Sequence, residues 1–176
     1  LADSSEISDR KTIREIKHEY KCIEDKEELK NLRDFLLARD KVCFDTETTS
    51  LNTFEAEIVG ISFSVRDHEA WYIPVPPNHD QCLAILEILR PLFENEAIVK
   101  IGQNLKYDIQ VLMQYGYVVK GTLFDTMIAH YLIQPELRQS MDYLSEVYLN
   151  YKPVAIEELI GKTGKGQLNM REENIE

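Results

Sequence analysis

Two carboxylates close a short apolar run in the segment Lys41-Val-Cys-Phe-Asp45-Thr-Glu47-Thr-Thr-Ser-Leu51. Side chains alternate faces along a strand, so Asp45 and Glu47 point the same way at the strand's end. Carboxylates held side by side repel each other unless a cation lies between them, and hard oxygen donors suit Mg²⁺ or Mn²⁺. The chemistry this spacing supports is that of a divalent metal. A solvated acidic surface is the other reading, because the chain carries 31 Asp plus Glu against 20 Lys plus Arg, a formal net charge of -11. The Asp-x-Glu pattern occurs three times. Asp25-Lys26-Glu27 stands where an amphipathic helix begins, so its carboxylates splay apart and favour the helix dipole. Asp67-His68-Glu69 falls between two strand-like runs and reads as a solvated hairpin turn. Only Asp45 and Glu47 follow an apolar strand pattern expected to bury their shared face.

A third carboxylate lies in Gly102-Gln-Asn104-Leu-Lys-Tyr-Asp108, where an apolar strand gives way to a helix. Asn104 is the expected N-cap. Leu105, Ile109 and Leu112 form the helix's core stripe, with Asp108 beside it on the face of Asn104 at i, i+4. An Asp at the edge of an apolar face is costly unless something pairs with it. A partly exposed helical Asp is the plainer alternative.

The elements that must hold these residues follow from periodicity. Residues 1–17 are polar and aperiodic and read as a linker, with the domain running from 18 to 176. A first strand is expected at Tyr20–Ile23, then a helix capped by Asp25 and running to about Arg39, with Leu29, Leu32, Leu36 and Leu37 at helical spacing. Strands are predicted at Val42–Thr46, Ile58–Val65 and Ala70–Val75, the last two forming a hairpin whose final strand Pro74, Pro76 and Pro77 keep at an edge. Helix and strand then alternate: a helix over Asp80–Phe93, a strand at Ile98–Ile101, a helix over Leu105–Tyr115 stopped by Gly116, a strand at Tyr117–Val119, and helices at 124–133, 141–149 and 156–160. Antiparallel strands followed by α/β alternation describe a mixed sheet with helices on both faces.

Composition sets the outer limits. The 176 residues suffice for one domain with a real core. No stretch approaches the roughly 18 to 20 apolar residues that span a bilayer, and no signal peptide opens the chain. A start at Leu1 rather than Met suggests a piece of a longer protein. Cys22, Cys43 and Cys82 are scattered and read as buried small hydrophobes in a reducing cytosol. The acidity argues against tight, autonomous binding of nucleic acid by phosphate neutralisation, though a neighbouring domain can supply a basic channel.

Phe44-Asp45-Thr-Glu47-Thr followed by Gly102-Gln-Asn104-Leu-Lys-Tyr-Asp108 closely resembles the first two motifs of the DEDD 3′–5′ exonucleases, in the wording of the proofreading domains of bacterial family A polymerases. The resemblance extends through Gly121-Thr-Leu-Phe-Asp125-Thr-Met, Met141-Asp-Tyr-Leu and Ile156-Glu-Glu-Leu-Ile-Gly-Lys-Thr-Gly-Lys-Gly-Gln167. Five collinear segments cover the chain from about residue 20 to its end. The resemblance implies a ribonuclease H-like fold and a two-metal hydrolysis of 3′-terminal phosphodiesters in single-stranded or frayed DNA, giving deoxynucleoside 5′-monophosphates. It implies that Asp45 bridges two Mg²⁺ or Mn²⁺ ions, that Glu47 holds the ion activating the attacking water, and that Asp108 serves the other. Substrate contacts carry over to Thr48, Leu51, Asn104, Tyr107 and Arg138, with Leu51 an apolar wedge against the terminal base. The partners implied are a single-stranded 3′ end and a polymerase domain on the same polypeptide in the cytoplasm, with the isolated fragment a monomer.

The family completes its site with Tyr-x-x-x-Asp on a later helix, a pattern absent from these 176 residues, so the fragment by itself is expected to be nearly inactive. Ile156 stands where some relatives have an aromatic ring. Gly161-Lys-Thr-Gly-Lys-Gly166 lacks the glycine spacing of a P-loop and reads as a basic loop. His18, His68, His79 and His130 show no ligand spacing and are expected at the surface or in caps. Trp71 is expected in the core, and Asp125 and Asp142 in helix capping or internal hydrogen bonds. A degenerate, non-catalytic polymerase spacer and an RNA-processing exonuclease of the same superfamily are the alternatives.

Overall fold

The computed structural model describes residues 10–155 together with Glu158, Gly161, Met170 and Arg171. The chain divides into two compact units, one of Glu19–Thr126 and one of Leu1–His18 with Met127–Glu176.

The larger unit is built on a six-stranded mixed sheet. In chain order its elements are β1 (Glu19–Cys22), α1 (Lys26–Leu37), β2 (Lys41–Thr48), β3 (Ile58–Arg66), β4 (Glu69–Pro74), α2 (His79–Phe93), β5 (Val99–Gly102), α3 (Leu105–Gln114) and β6 (Leu123–Asp125). The strand order is β1-β4-β3-β2-β5-β6. β2 pairs antiparallel with β3 and parallel with β5, which puts the carboxylate strand in the sheet's interior. The hairpin of β3 and β4 is antiparallel, whereas β1 joins β4 and β6 joins β5 in parallel.

Local chemistry accounts for these elements. Asp25 caps α1, accepting from the amides of Glu27 and Glu28, and Leu29, Leu32 and Leu36 are its buried stripe. Asn78 caps α2 by accepting from Gln81. Along β2, Val42, Phe44 and Thr46 are buried while Cys43 is exposed and Asp45 and Glu47 are half-buried. The fully buried face is thus the one opposite the carboxylates, not the one they share. Phe44 anchors it, with its ring centroid 5.6 Å from Phe93 and 6.4 Å from Phe63. Trp71 is buried as expected.

Several expectations need correction. β4 is not an edge strand: β1 covers it from Glu69 to Tyr72, and Pro74 lies beyond that pairing, where its missing amide costs no ladder bond. Tyr117–Val119 forms no strand. Tyr117 instead turns its buried ring beneath the Arg90 guanidinium, 4.4 Å from the ring centroid, and its hydroxyl reaches Glu87 at 3.2 Å. The strand that pairs with β5 is Leu123–Asp125. Cys82 is buried, but Cys22 and Cys43 are exposed.

The smaller unit holds α4 (Thr126–Ile133), which begins at the last residue of the larger one, and α5 (Met141–Leu149). Residues 10–12, read from sequence as part of a linker, are tied down within it: Lys11 bridges Tyr151 and Arg10 pairs with Glu146. His130 is buried rather than at the surface or in a cap, its ring held between Gln139 and the Tyr148 hydroxyl. Ser140 caps α5, and Asp142 sits in that helix's first turn, where the dipole favours an anion. The helix expected at 156–160 and the Gly-Lys-rich loop fall outside the described residues apart from Glu158 and Gly161.

Candidate active site

Asp45 and Glu47 lie near the end of β2, and Asp108 one turn into α3. β2 runs on past its pairing with β5, which stops at Cys43 and Ile101. That leaves the Thr46 amide free of the ladder, and Asp108 takes it. Asp108 Oδ1 accepts from Thr46 N at 2.9 Å and from Thr46 Oγ1 at 2.6 Å. At 2% exposure, Asp108 is a buried, partnered carboxylate and not a partly exposed helical one.

The three carboxylates feel one another. Burial, then the charge of Asp108, then that of Glu47, push the Asp45 carboxyl up to about 7. Glu47 is raised by burial and by Asp108. Asp108 is raised by burial, against the two Thr46 hydrogen bonds that favour its charged form, with Asp125 adding repulsion. All three therefore hold protons more tightly than free carboxyls do. Among the described residues, however, no three His, Cys, Asp or Glu side chains converge closely enough to hold an ion by themselves.

The expected substrate residues are placed as follows. The Thr48 hydroxyl, at the end of β2, donates to the Ser50 carbonyl and meets the Tyr107 hydroxyl, which also donates to Ser50. Tyr107 thereby ties α3 to the loop after β2. Leu51 projects from that loop, 95% exposed. Asn104 precedes α3 in the left-handed region with φ 61°, and its side chain makes no capping bond, contrary to expectation. Arg138 is exposed in the smaller unit, between α4 and α5.

The cap that Asn104 does not supply comes from Asp125, whose Oδ1 accepts from Asn104 N at 3.1 Å and Oδ2 from Leu105 N at 2.8 Å. Helix capping or internal hydrogen bonding is the role expected of Asp125, and its partners are two amides distant in sequence. Phe54, 82% exposed in the same loop as Leu51, is a second apolar side chain that sequence reasoning passed over; the only signal was a bulky ring in a turn-rich segment.

Comparison with known proteins decides the family. The sequence matches the 3′–5′ exonuclease family over residues 20–175. The chain belongs to that family. Curated relatives of this exonuclease chain include the DNA polymerase I of Borreliella burgdorferi, 35% identical over 162 residues that cover 90% of this chain and 18% of that protein. The DNA polymerase I of Pseudomonas aeruginosa is 37% identical over 134 residues, covering 70% of this chain and 15% of that protein. The chain thus spans less than a fifth of the length of these polymerases. Its fold is similar to that of Brucella melitensis NrnC with bound Mg²⁺, with TM-score 0.62 and 20% identity over 80% of this chain and 65% of that one. The catalytic core of RRP6 from Trypanosoma brucei is similar at TM-score 0.64 and 19% identity, over 84% of this chain and 38% of that one. The exonuclease has the mixed, ribonuclease H-like sheet expected of it.

Proposed function

We propose that this chain is the proofreading module of a DNA polymerase I and removes nucleotides one at a time from the 3′ end of single-stranded or frayed DNA. Asp45, Glu47 and Asp108 are its catalytic carboxylates. The observation that carries this reading is that Asp45 and Glu47, on one side of an interior strand, feel the charge of the buried Asp108 on α3, which after burial is the main cause that pushes Asp45 up to about 7.

That repulsion is also the test of whether a metal suits the site. The donors are all hard oxygens, and their mutual repulsion is the condition a divalent cation relieves, so the set fits Mg²⁺ or Mn²⁺. The described residues do not close a ligand shell by themselves; the family's Tyr-x-x-x-Asp would add a fourth carboxylate. When bound, two such ions would supply an acidified water and neutralise charge on the phosphate oxygens.

The chain's own residues do the rest. Asp45 and Glu47 face one side of β2 and present oxygens to the reacting phosphate's neighbourhood. Thr46 fixes the Asp108 carboxylate through two hydrogen bonds, so that its second oxygen keeps one direction. Thr48 and Tyr107 brace the loop that carries Leu51, and Leu51 stacks on the terminal base without reading its identity. Asn104 completes the substrate contacts of the larger unit.

DNA is preferred to RNA as substrate because the relatives of higher identity are DNA polymerases. The module works beside the polymerase domain of its own polypeptide in the cytoplasm and is a monomer when isolated, with residues 18–176 as the nuclease domain. No helix among the described residues is long and apolar enough to cross a membrane.

A protein extended through a Tyr-x-x-x-Asp helix should release 5′-mononucleotides stepwise from the 3′ end of a DNA oligonucleotide in Mg²⁺. Asp45→Ala should abolish this, and the 176-residue chain should be slower by about 10² or more. An extended, folded protein that digests no DNA would favour the non-catalytic spacer, and one that digests only RNA would favour the RNA-processing alternative.

A further inference from the structure

The corner between β5 and α3 is built more tightly than chain reversal requires. Gly102 ends β5 in register with Asp125 of β6. A Cβ at Gly102 would come within 2.5 Å of Leu105 and 3.0 Å of the Phe44 carbonyl, so only glycine fits. The Thr126 hydroxyl donates to the Gly102 carbonyl at 3.0 Å. Asp125 accepts from the next two amides in the turn that lack ladder partners, those of Asn104 and Leu105. Between these restraints Asn104 takes the left-handed conformation, φ 61° and ψ 42°.

An asparagine at such a position normally has one of two duties. It tolerates the left-handed backbone better than other side chains, or it caps the helix that follows. Asp125 holds the Asn104 and Leu105 amides with its two carboxylate oxygens, and the Asn104 carboxamide makes no capping bond to the helix. Asn104 stands four residues before Asp108, at the entry to α3. The turn is thus held by a charged group from the neighbouring strand, while the Asn104 side chain, a neutral donor and acceptor, takes no part in holding the helix.

We infer that Asp125 is a positioning residue: together with Thr126 it clamps the Gly102–Leu105 turn so that the Asn104 carboxamide is presented to the terminal nucleotide. The inference rests on the exonuclease reading of the site and adds to it a residue outside the carboxylate set. Asp125 acts through Asn104 and bonds neither substrate nor metal, although its charge also bears on Asp108. The simpler possibility, that Asp125 merely holds the helix in place, makes a different prediction about coupling.

The test is amide NMR of the ¹⁵N-labelled chain titrated with thymidine 5′-monophosphate in Mg²⁺. The parent should show saturable shifts that include the Asn104 side-chain amide. Asn104→Gly keeps the left-handed backbone and removes only the carboxamide, and it should weaken binding about tenfold. Asp125→Ala should weaken it to a similar extent, and Asp125→Asn, which retains one acceptor oxygen, should fall between. The double variant Asp125→Ala with Asn104→Gly should bind no more weakly than Asn104→Gly alone, because the clamp has then nothing to present. Should Asp125→Ala fail to fold, the same coupling is read from Asp125→Asn in the two backgrounds.

Losses that multiply in the double variant, or parent-like binding by Asp125→Ala, would overturn the inference. Parent-like binding by Asn104→Gly, with binding lost in Asp45→Ala, would overturn it by removing Asn104 from the substrate while leaving the carboxylate site standing. A parent chain that binds no nucleotide would contradict the reading of the site itself, and the inference with it.

Discussion

Asp45 is raised to about 7 from an ordinary value of 3.8, so folding takes up a proton there at intermediate pH. A carboxyl whose folded pKa lies above its unfolded one contributes stability that is complete below about pH 4 and is lost as pH rises through about 7. In metal-free buffer the melting temperature should therefore fall between pH 5 and pH 8 more steeply in the parent than in Asp45→Asn. At pH 8 the variant should melt several degrees higher. Equal slopes in the two proteins would mean that Asp45 ionises freely. Asp108 should behave differently, because it has protein partners. Asp108→Ala strands the buried Thr46 amide and should cost about 1–3 kcal/mol by denaturant unfolding. Asp108→Asn keeps an acceptor oxygen and should cost less, and a variant as stable as the parent after Asp108→Ala would remove the Thr46 contacts from the account.

The elements that carry the site are held by close approaches as much as by hydrophobic burial. Gly102→Ala should destabilise by about 1–3 kcal/mol, since its methyl group meets both Leu105 and a Phe44 backbone oxygen that cannot yield cheaply. Unchanged stability would show that α3 can slide along the sheet. At this scale the sequence was partly legible. The Asp-x-Glu strand, the leucine stripe of α1 and its Asp25 cap were visible because each is a local pattern, repeated or closed within four residues. The partnership of Asp125 with the start of α3 was not, because its two amides lie about 20 residues earlier in the chain and Asn104 offered a plausible local cap. The interior position of β4 was missed for a like reason: its parallel partner β1 comes some 50 residues before it, and the neighbouring prolines point to an edge. Tyr117–Val119 has the composition of a strand, but the tyrosine hydroxyl and ring find their partners on α2. Within the carboxylate set, Asp45 and Glu47 could be paired from spacing. Their proximity to Asp108 came from resemblance, since no local pattern joins β2 to a residue that lies 62 positions beyond Thr46.

For the whole molecule, a net charge of -11 sets self-repulsion against folding, and the buried carboxylates add to it locally. Raising NaCl from 10 to 150 mM should raise the melting temperature by a few degrees, as the Debye length shortens to about 8 Å. Mn²⁺ at millimolar concentration should raise it further at equal ionic strength, with EDTA reversing only the second effect. The central claim is that Asp45, Glu47 and Asp108 act together as the seat of a divalent cation. Calorimetric titration of Mn²⁺ into the parent chain and into Asp45→Ala tests it most directly. The account predicts weak, saturable binding in the parent and none in the variant, whereas identical isotherms from two folded proteins would contradict it.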